Sequence, residues 1–348
     1  MHDVLIIGGG PSGVSAAIFA ALNGLKPIIW DFKEGIIDKA CGEGLMPAAI
    51  KKLDQMGVEL KNYHPFLGIR YIDQKNIAEA DFSQGPGKGV RRLELHEALI
   101  KRAKELGVQW EHRKAKKLQI FTDHVEVDEV KAKYVIAADG LHSPIRKQLG
   151  LSLPAKNASR VGLRRHYHQK PWSSYVEVYW HPQAEAYVTP VSDQEVGVAI
   201  LFFKENTIPK SQSKNQYEHM LSLFPNLKAK LSGEYASSLR GAGPFEQRTH
   251  AQQSGNVLLV GDAAGYLDPL TGEGIRLGLD SAEAAVQAIT NNDVQSYNRS
   301  WKQITRRYWF LTAGLLKLRK IELLRKAMIP FLKSCPRIFR FIISLLAH

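Results

Sequence analysis

Gly8, Gly10 and Gly13 stand in the spacing G-x-G-x-x-G, inside the run Gly8-Gly9-Gly10-Pro11-Ser12-Gly13, and Asp31 follows 18 residues after the last of them. Each residue type has a chemical use at that spacing. Gly8 permits a tight turn, Gly10 lets backbone approach a pyrophosphate, and Gly13 lets a helix pack close to a strand. A helix opening at such a turn offers unpaired N–H groups and the positive end of its dipole to phosphates. Asp31 can accept from the ribose hydroxyls of an adenosine, and an acid there disfavours a 2′-phosphate. The pattern therefore reads as a dinucleotide cradle and leaves FAD or NAD open. Other residues could move protons. Cys41 and Glu43 share one glycine-rich loop, and His166 lies in Arg164-Arg165-His166-Tyr167-His168. An imidazole titrates near neutrality, so a base role is chemically available to it.

The elements that must position these groups follow from pattern. Residues 3–7 are a short apolar run of the kind buried in a parallel sheet, Val14 to Leu22 read as a helix, and Lys26 to Trp30 as a second strand ending at Asp31. Lys133 to Ala138 is a third strand, ending in Asp139-Gly140 and followed by Ser143 and Arg146. Asn256 to Val260 is a fourth, ending in Gly261-Asp262-Ala263-Ala264. Pro269 and Gly272-Glu273-Gly274 come next, then a helical pattern to about Ile289. Residues 160–203 change character: Val161–Tyr167, Tyr175–Trp180, Glu185–Val191 and Val196–Phe203 are strand-length runs separated by turns. They predict an antiparallel sheet with one face toward a cavity, to which residues 65–83 add an edge. Period-two alternation puts Arg164, His166 and His168 on one face.

The predicted fold class is α/β. A Rossmann-type dinucleotide-binding domain, a parallel sheet with helices, is split by an antiparallel β-sheet substrate domain, with C-terminal helices beyond. The boundaries are 1–64, 91–158 and 240–300 for the first, 65–90 and 159–239 for the second, and 301–348 for the tail.

The three motifs together resemble the flavoprotein family that includes aromatic-ring monooxygenases of the p-hydroxybenzoate hydroxylase type and geranylgeranyl reductases. In that family an ADG…S…R segment and a GDAA…P…G-x-G segment accompany the N-terminal glycines, in the order found here. The resemblance implies FAD. It implies that Asp262, with Gly261, meets the ribityl chain, that Pro269, Gly272 and Gly274 approach the flavin ring, that Asp139 touches the cofactor, and that Arg92, in Arg-x-x-Leu-His-x-x-Leu, lies near the pyrophosphate. Cys41-Gly42-Glu43-Gly44-Leu45-Met46-Pro47 is similar to the C-G-x-G-(L/I)-x-P segment of geranylgeranyl-reductase-like proteins, which approaches the flavin from the substrate side. Tyr187-Val188-Thr189-Pro190 takes the place of the family's aromatic-x-x-Pro segment. The tryptophan-rich versions of reductases (Y-x-W-x-F-P) and halogenases (W-x-W-x-I-P) are absent, and no halogenase-type lysine is assignable.

These departures favour hydroxylation: an FAD monooxygenase acting through a flavin C4a-hydroperoxide on an aromatic or polyketide-derived, lipidic substrate. Cys41, Glu43, His166 and Tyr187 are its candidate catalytic residues. No second G-x-G-x-x-G occurs, so NAD(P)H is expected as a transient reductant. The rivals are a geranylgeranyl-type reductase of prenyl double bonds and an FAD-bound membrane-docking protein with little turnover.

Composition limits the partners. Two cysteines, Cys41 and Cys335, give neither a disulfide framework nor zinc spacing, so no metal is expected. The net charge of +13 is local: from Lys302 onward there are eleven Lys/Arg and a single acid, Glu322. Leu311, Leu315, Leu318, Ile321, Leu324 and Met328 recur there at helical spacing, with Pro330 and Pro336 as punctuation. Such a stripe suits the protein's own core or an anionic membrane surface. Cations set among aliphatics suit nucleic acid poorly. With no signal-peptide pattern and no run of about 18 apolar residues, the expected location is the cytoplasm, peripheral to the inner face of the membrane.

Overall fold

A computed structural model describes residues 1–156, 159–207 and 216–347. The N-terminal apolar run forms strand His2–Ile7, in which Val4, Leu5 and Ile6 are wholly shielded from solvent. It lies inside a sheet ordered Gln253–Ser254, Val257–Leu259, Val130–Ala137, His2–Ile7, Pro27–Asp31 and Gln109–His112. Along this order the neighbours are parallel except the antiparallel edge pair Gln253–Ser254 with Val257–Leu259, and Val125–Val127 and Leu118–Ile120 join as an antiparallel branch on Val130–Ala137. Helices Pro11–Leu22, Arg92–Glu105 and Gly274–Thr290 share one core with this sheet, which explains strands that are apolar throughout rather than alternating. Ile7 is in register with Ala137, and Ala137 with Leu259. The glycine turn, Asp139-Gly140 and Gly261-Asp262 therefore leave the sheet side by side at its carboxyl edge, where open α/β sheets bind ligands.

The second sheet runs Arg240–Ala242, Arg160–His168, Glu195–Phe203, Ala184–Ser192, Tyr175–Trp180, Gly68–Ile72 and Ile77–Asp81. It is antiparallel except where Tyr175–Trp180 meets Gly68–Ile72. Residues 65–83 supply the expected edge. The predicted boundary at 240 needs correction, because Arg240–Ala242 pairs with Gly162–Arg164 before the chain returns to the first domain. The boundary at 64/65 also cuts a strand. His64–Phe66, Gly87–Gly89 and Gly44–Leu45 form a small sheet joining the two domains. The boundary at 158/159 abuts residues 157–158, outside the described segments.

The tail helices are Tyr297–Lys320, Glu322–Ser334 and Pro336–Ala347. The first begins at Tyr297, well before Leu311, where the apolar stripe starts. Pro330 does not punctuate but sits inside its helix. The lost N–H bond there is outweighed by burial of Ile329 and Leu332 on either side, and the chain turns at Cys335 instead. Of the expected stripe, Leu311, Leu315, Leu318 and Met328 pack on the second sheet, in one core with Leu332, Phe339, Ile343, Phe66, Tyr71 and Trp180, whereas Ile321 and Leu324 are exposed. Arg319 pairs with Glu185, which also takes Arg160 at 2.7 Å, while Arg160 reaches Asp268 at 3.1 Å. All four side chains are buried. Two cations and two acids thus neutralise one another and tie the tail to the sheet and to the loop before Pro269.

Candidate cofactor and substrate cavity

One cavity of about 580 Å³ lies between the carboxyl edge of the first sheet and the second sheet. At its cofactor end Gly10, Pro11, Ser12, Arg92, Asp139 and Asp262 contribute to the wall, and Pro269, Gly272 and Gly274 line it farther along. Gly8, Gly13, Asp31 and Gly261 are not in the wall, for physical reasons. A Cβ on Gly13 would fall 1.8 Å from the Gly8 carbonyl oxygen, so this residue is the contact between helix and turn. Gly8 has φ +107°, in the left-handed region, and backs onto Ala138. A Cβ on Gly261 would meet Ser12. Asp31 accepts from the Gly9 N–H at 2.7 Å and from the Lys33 N–H, so it braces the glycine turn.

Two side chains hold these motifs together: His96, which the pattern did not single out, and Arg146, the arginine of the second motif. His96 donates from Nε2 to the Gly9 carbonyl at 2.6 Å, while its Nδ1 accepts from the Ile37 N–H. Burial, aided by Arg92, pushes its pKa down to about 4, which keeps the imidazole neutral in this role. Arg146 donates to the Leu141 and Ala263 carbonyls and to Gln247, stitching the second motif to the third. Lys39 lies in the wall, and burial next to Arg92 depresses its pKa. Its only sequence signal was its place in the segment between the second strand and the Cys41 loop.

The donor set fits an FAD. Arg92 Nη1 and Asp139 Oδ1 are buried at the cavity and have no hydrogen-bond partner among the described residues. Burial raises the pKa of both Asp139 and Asp262, even though Asp139 Oδ2 accepts from the Ile145 N–H at 3.0 Å. Gly10 and Gly272 have open space where a side chain would stand, so backbone is bare to a ligand on both sides. Arg92 and Lys39 bring positive charge to the end of helix Pro11–Leu22, matching a pyrophosphate.

The family model described as FAD binding domain matches residues 1–291. The chain belongs to this FAD-binding family. Among curated relatives, menaquinone reductase of Mycobacterium tuberculosis is 26% identical over 319 residues, covering 84% of this chain and 77% of that protein. Digeranylgeranylglycerophospholipid reductase of Methanococcus aeolicus is 24% identical over 358 residues, covering 92% and 86%. Of solved structures, a flavoprotein/dehydrogenase from Cytophaga hutchinsonii superposes with a TM-score of 0.85 at 21% identity, covering 99% of this chain and 92% of that one. This FAD-binding chain is thus an FAD-dependent oxidoreductase.

The Cys41 loop of this flavoprotein is fixed from several sides. The Thr189 hydroxyl donates to the Gly42 carbonyl at 2.7 Å, and Val90 N–H donates to the Glu43 carbonyl. Glu43, at φ +61°, accepts from the Arg92 N–H at 2.8 Å with Oε1 and faces His166 Nε2 at 2.5 Å with Oε2. Both carboxylate oxygens are therefore engaged, and His166 sits behind the wall rather than in it. Its Nδ1 lies 2.8 Å from the Ser237 hydroxyl. Arg164 reaches the cavity, is held by Asp38 and lies 3.1 Å from His166 Nδ1, as a common face requires, whereas His168, at the end of the strand, is mostly exposed. Burial raises the Cys41 pKa, so a protonated thiol faces the cavity. Tyr187 donates to the Leu270 carbonyl at 2.9 Å and lines the wall.

Beyond Tyr187 the wall becomes apolar. Met46, Phe66, Ile69, Val176, Val178 and, from the last helix, Leu346 enclose it. The tail helices could be expected to cap the cavity, but no single residue of them was assigned to its wall. Helical periodicity marks Leu346 as apolar but carries no information on which wall it joins.

Proposed function

We infer that the protein is a reductase that saturates a prenyl double bond of a lipid whose chain lies in the apolar end of the cavity. The observation that carries this reading is the continuity of that chamber, closed by Leu346, with the cradle formed by the three motifs. A small polar acid would leave much of the chamber unfilled, whereas an isoprenoid chain would be desolvated along it. The relatives named as menaquinone and digeranylgeranylglycerophospholipid reductases support the same direction and weigh against the hydroxylase expected from sequence.

Bound FAD, once reduced, supplies the hydride for such chemistry. The chain's own residues do the rest. Arg92, Lys39 and the end of helix Pro11–Leu22 neutralise the phosphates. Asp139 and Asp262 accept from hydroxyl or ring N–H groups. The Cys41 loop, anchored through Glu43 and Thr189, lines the cavity where its cofactor end and apolar end meet. Saturation consumes a proton as well as a hydride, and the neutral Cys41 thiol is a protic group at that wall. Tight apolar packing from Phe66, Val176 and Leu346 excludes water from the reacting bond. NAD(P)H serves as a transient external reductant.

The test is anaerobic. Protein, FAD, NADPH and a menaquinone or geranylgeranyl lipid in detergent are followed by mass spectrometry. The expected result is a gain of one H₂ per reduced bond without oxygen. Turnover that stops without oxygen and inserts an oxygen atom would replace this reading with hydroxylation.

A further inference from the structure

The last helix, Pro336–Ala347, is apolar on two sides. Phe339, Ile343 and Leu346, spaced i, i+4, i+7, are buried against the second sheet, with the Phe339 ring 5.0 Å from Tyr71 and Leu346 in the cavity wall. Ile338 and Phe341 lie on the other side at i, i+3 and are exposed, Phe341 to 63%. The preceding helix repeats the arrangement. Met328, Ile329 and Leu332 point inward, while Leu323, at 77% exposure, Leu324 and Phe331 face out. Phe310 of helix Tyr297–Lys320 is exposed to 78%. A soluble helix ordinarily turns one apolar stripe to the core and a polar face to water. Here the outward side keeps large apolar groups with no cover among the described residues.

What covers it is indicated by charge. The segment from Lys302 onward has eleven basic residues and Glu322 as its only acid, and Glu322 is already paired with Lys326. Lys320, Lys333, Arg337 and Arg340 are exposed among the apolar side chains. A second copy of this chain would bring the same cations face to face, which is repulsive. An anionic bilayer accepts both components, apolar groups below the headgroups and cations among them. No described helix is long and apolar enough to cross a membrane, so the arrangement suits docking on the surface.

The geometry points to a lipid-docking face: the outward side of helices Glu322–Ser334 and Pro336–Ala347 lies on an anionic bilayer. The last helix then stands between that bilayer and the cavity, with Phe341 toward the lipid and Leu346 toward the substrate. The purpose assigned to this face, loading a membrane lipid into the cavity, rests on the prenyl-lipid reading. The docking itself does not.

The experiment is flotation of the full FAD-loaded chain with vesicles of phosphatidylcholine alone or phosphatidylcholine with phosphatidylglycerol, at low and high salt. Flotation is expected with the anionic vesicles, falling at high salt. Arg337→Glu with Arg340→Glu, and separately Leu323→Ser with Phe341→Ser, are expected to weaken it on the order of tenfold, with flavin absorbance and Tm retained. Equal flotation with neutral vesicles, none with either, or unchanged flotation of both variants overturns the proposal. So does a dimer in light scattering that the Leu323→Ser/Phe341→Ser variant dissolves, since the face would then join two copies. No turnover is needed. Docking without lipid reduction in detergent would sink the reductase reading alone, and reduction in detergent without docking would sink this one alone.

Discussion

His166 Nε2 lies 2.5 Å from Glu43 Oε2, with both side chains almost wholly buried. The pair ties the second sheet to the loop carrying Cys41, and the other Glu43 oxygen ties that loop to the start of the Arg92 helix. Glu43→Ala leaves the imidazole and the Arg92 N–H without their acceptor. Leaving a buried hydrogen-bonding group without its partner costs about 1–3 kcal/mol. Urea unfolding should show a loss of that size, with Glu43→Gln losing less because an amide oxygen still accepts. A loss within experimental error for Glu43→Ala would show that the loop is held elsewhere.

Gly13 is the point where helix and turn touch. Gly13→Ala puts a methyl into the Gly8 carbonyl, 1.8 Å away, where backbone must move. The cradle should open and FAD affinity fall at least about tenfold, the effect of roughly 1.4 kcal/mol. Titration of apoprotein with FAD, read by flavin fluorescence, measures it. Gly10→Ala is the contrast. A Cβ there meets nothing within 4 Å in the protein, so a comparable loss must come from the ligand's own approach.

The parallel sheet, its motifs and the second sheet were legible because each rests on local pattern: apolar strands ending in glycine or aspartate, then strand-length runs between turns. Three strands in register bring Gly8, Asp139 and Asp262 to one edge, so linear motifs implied their own convergence. The partners of those motifs were not legible. His96 acts through the Gly9 carbonyl, and Arg146, readable as the motif arginine, takes the Ala263 carbonyl as a partner that was not; backbone acceptors leave no trace in residue type. Glu43 and His166 were legible as chemistry but not as a pair, since the bond between them spans 123 residues. The tail's apolar stripe was readable, but its destination depends on the shape of the sheet it meets.

His96 gives the cradle a pH dependence of definite sign. Its pKa is about 4 in the folded protein, below the ordinary 6.5. As pH falls from 6.5 toward 4, the unfolded chain binds a proton that the folded one refuses, so stability is lost over that window and is fully present above it. Asp268, raised by burial to about 6, works in the opposite direction between pH 6 and its ordinary 3.8. The difference between wild type and His96→Gln isolates the imidazole. Thermal unfolding should show the wild type losing its advantage as pH drops below 6.5. Parallel curves for the two proteins across this range would remove His96 from the account.

Glu185 holds Arg160 and Arg319 at once and is completely buried. Glu185→Ala would leave two guanidinium groups in the interior with Asp268 as the remaining acid of the cluster. The expected cost is about 3–5 kcal/mol. It should fall unevenly, because Arg319 belongs to the tail while Arg160 belongs to the sheet. Limited proteolysis should therefore cut the variant after Lys317 or Arg319 faster than wild type, while protection of the glycine cradle changes little. Adding Arg319→Leu removes one of the two orphaned cations and should restore part of the lost stability, since a buried ion group replaced by an apolar side chain is often tolerated. Tail cleavage that the second substitution does not slow would mean that the apolar contacts of Phe339 and Ile343, rather than this cluster, keep the last helices on the sheet.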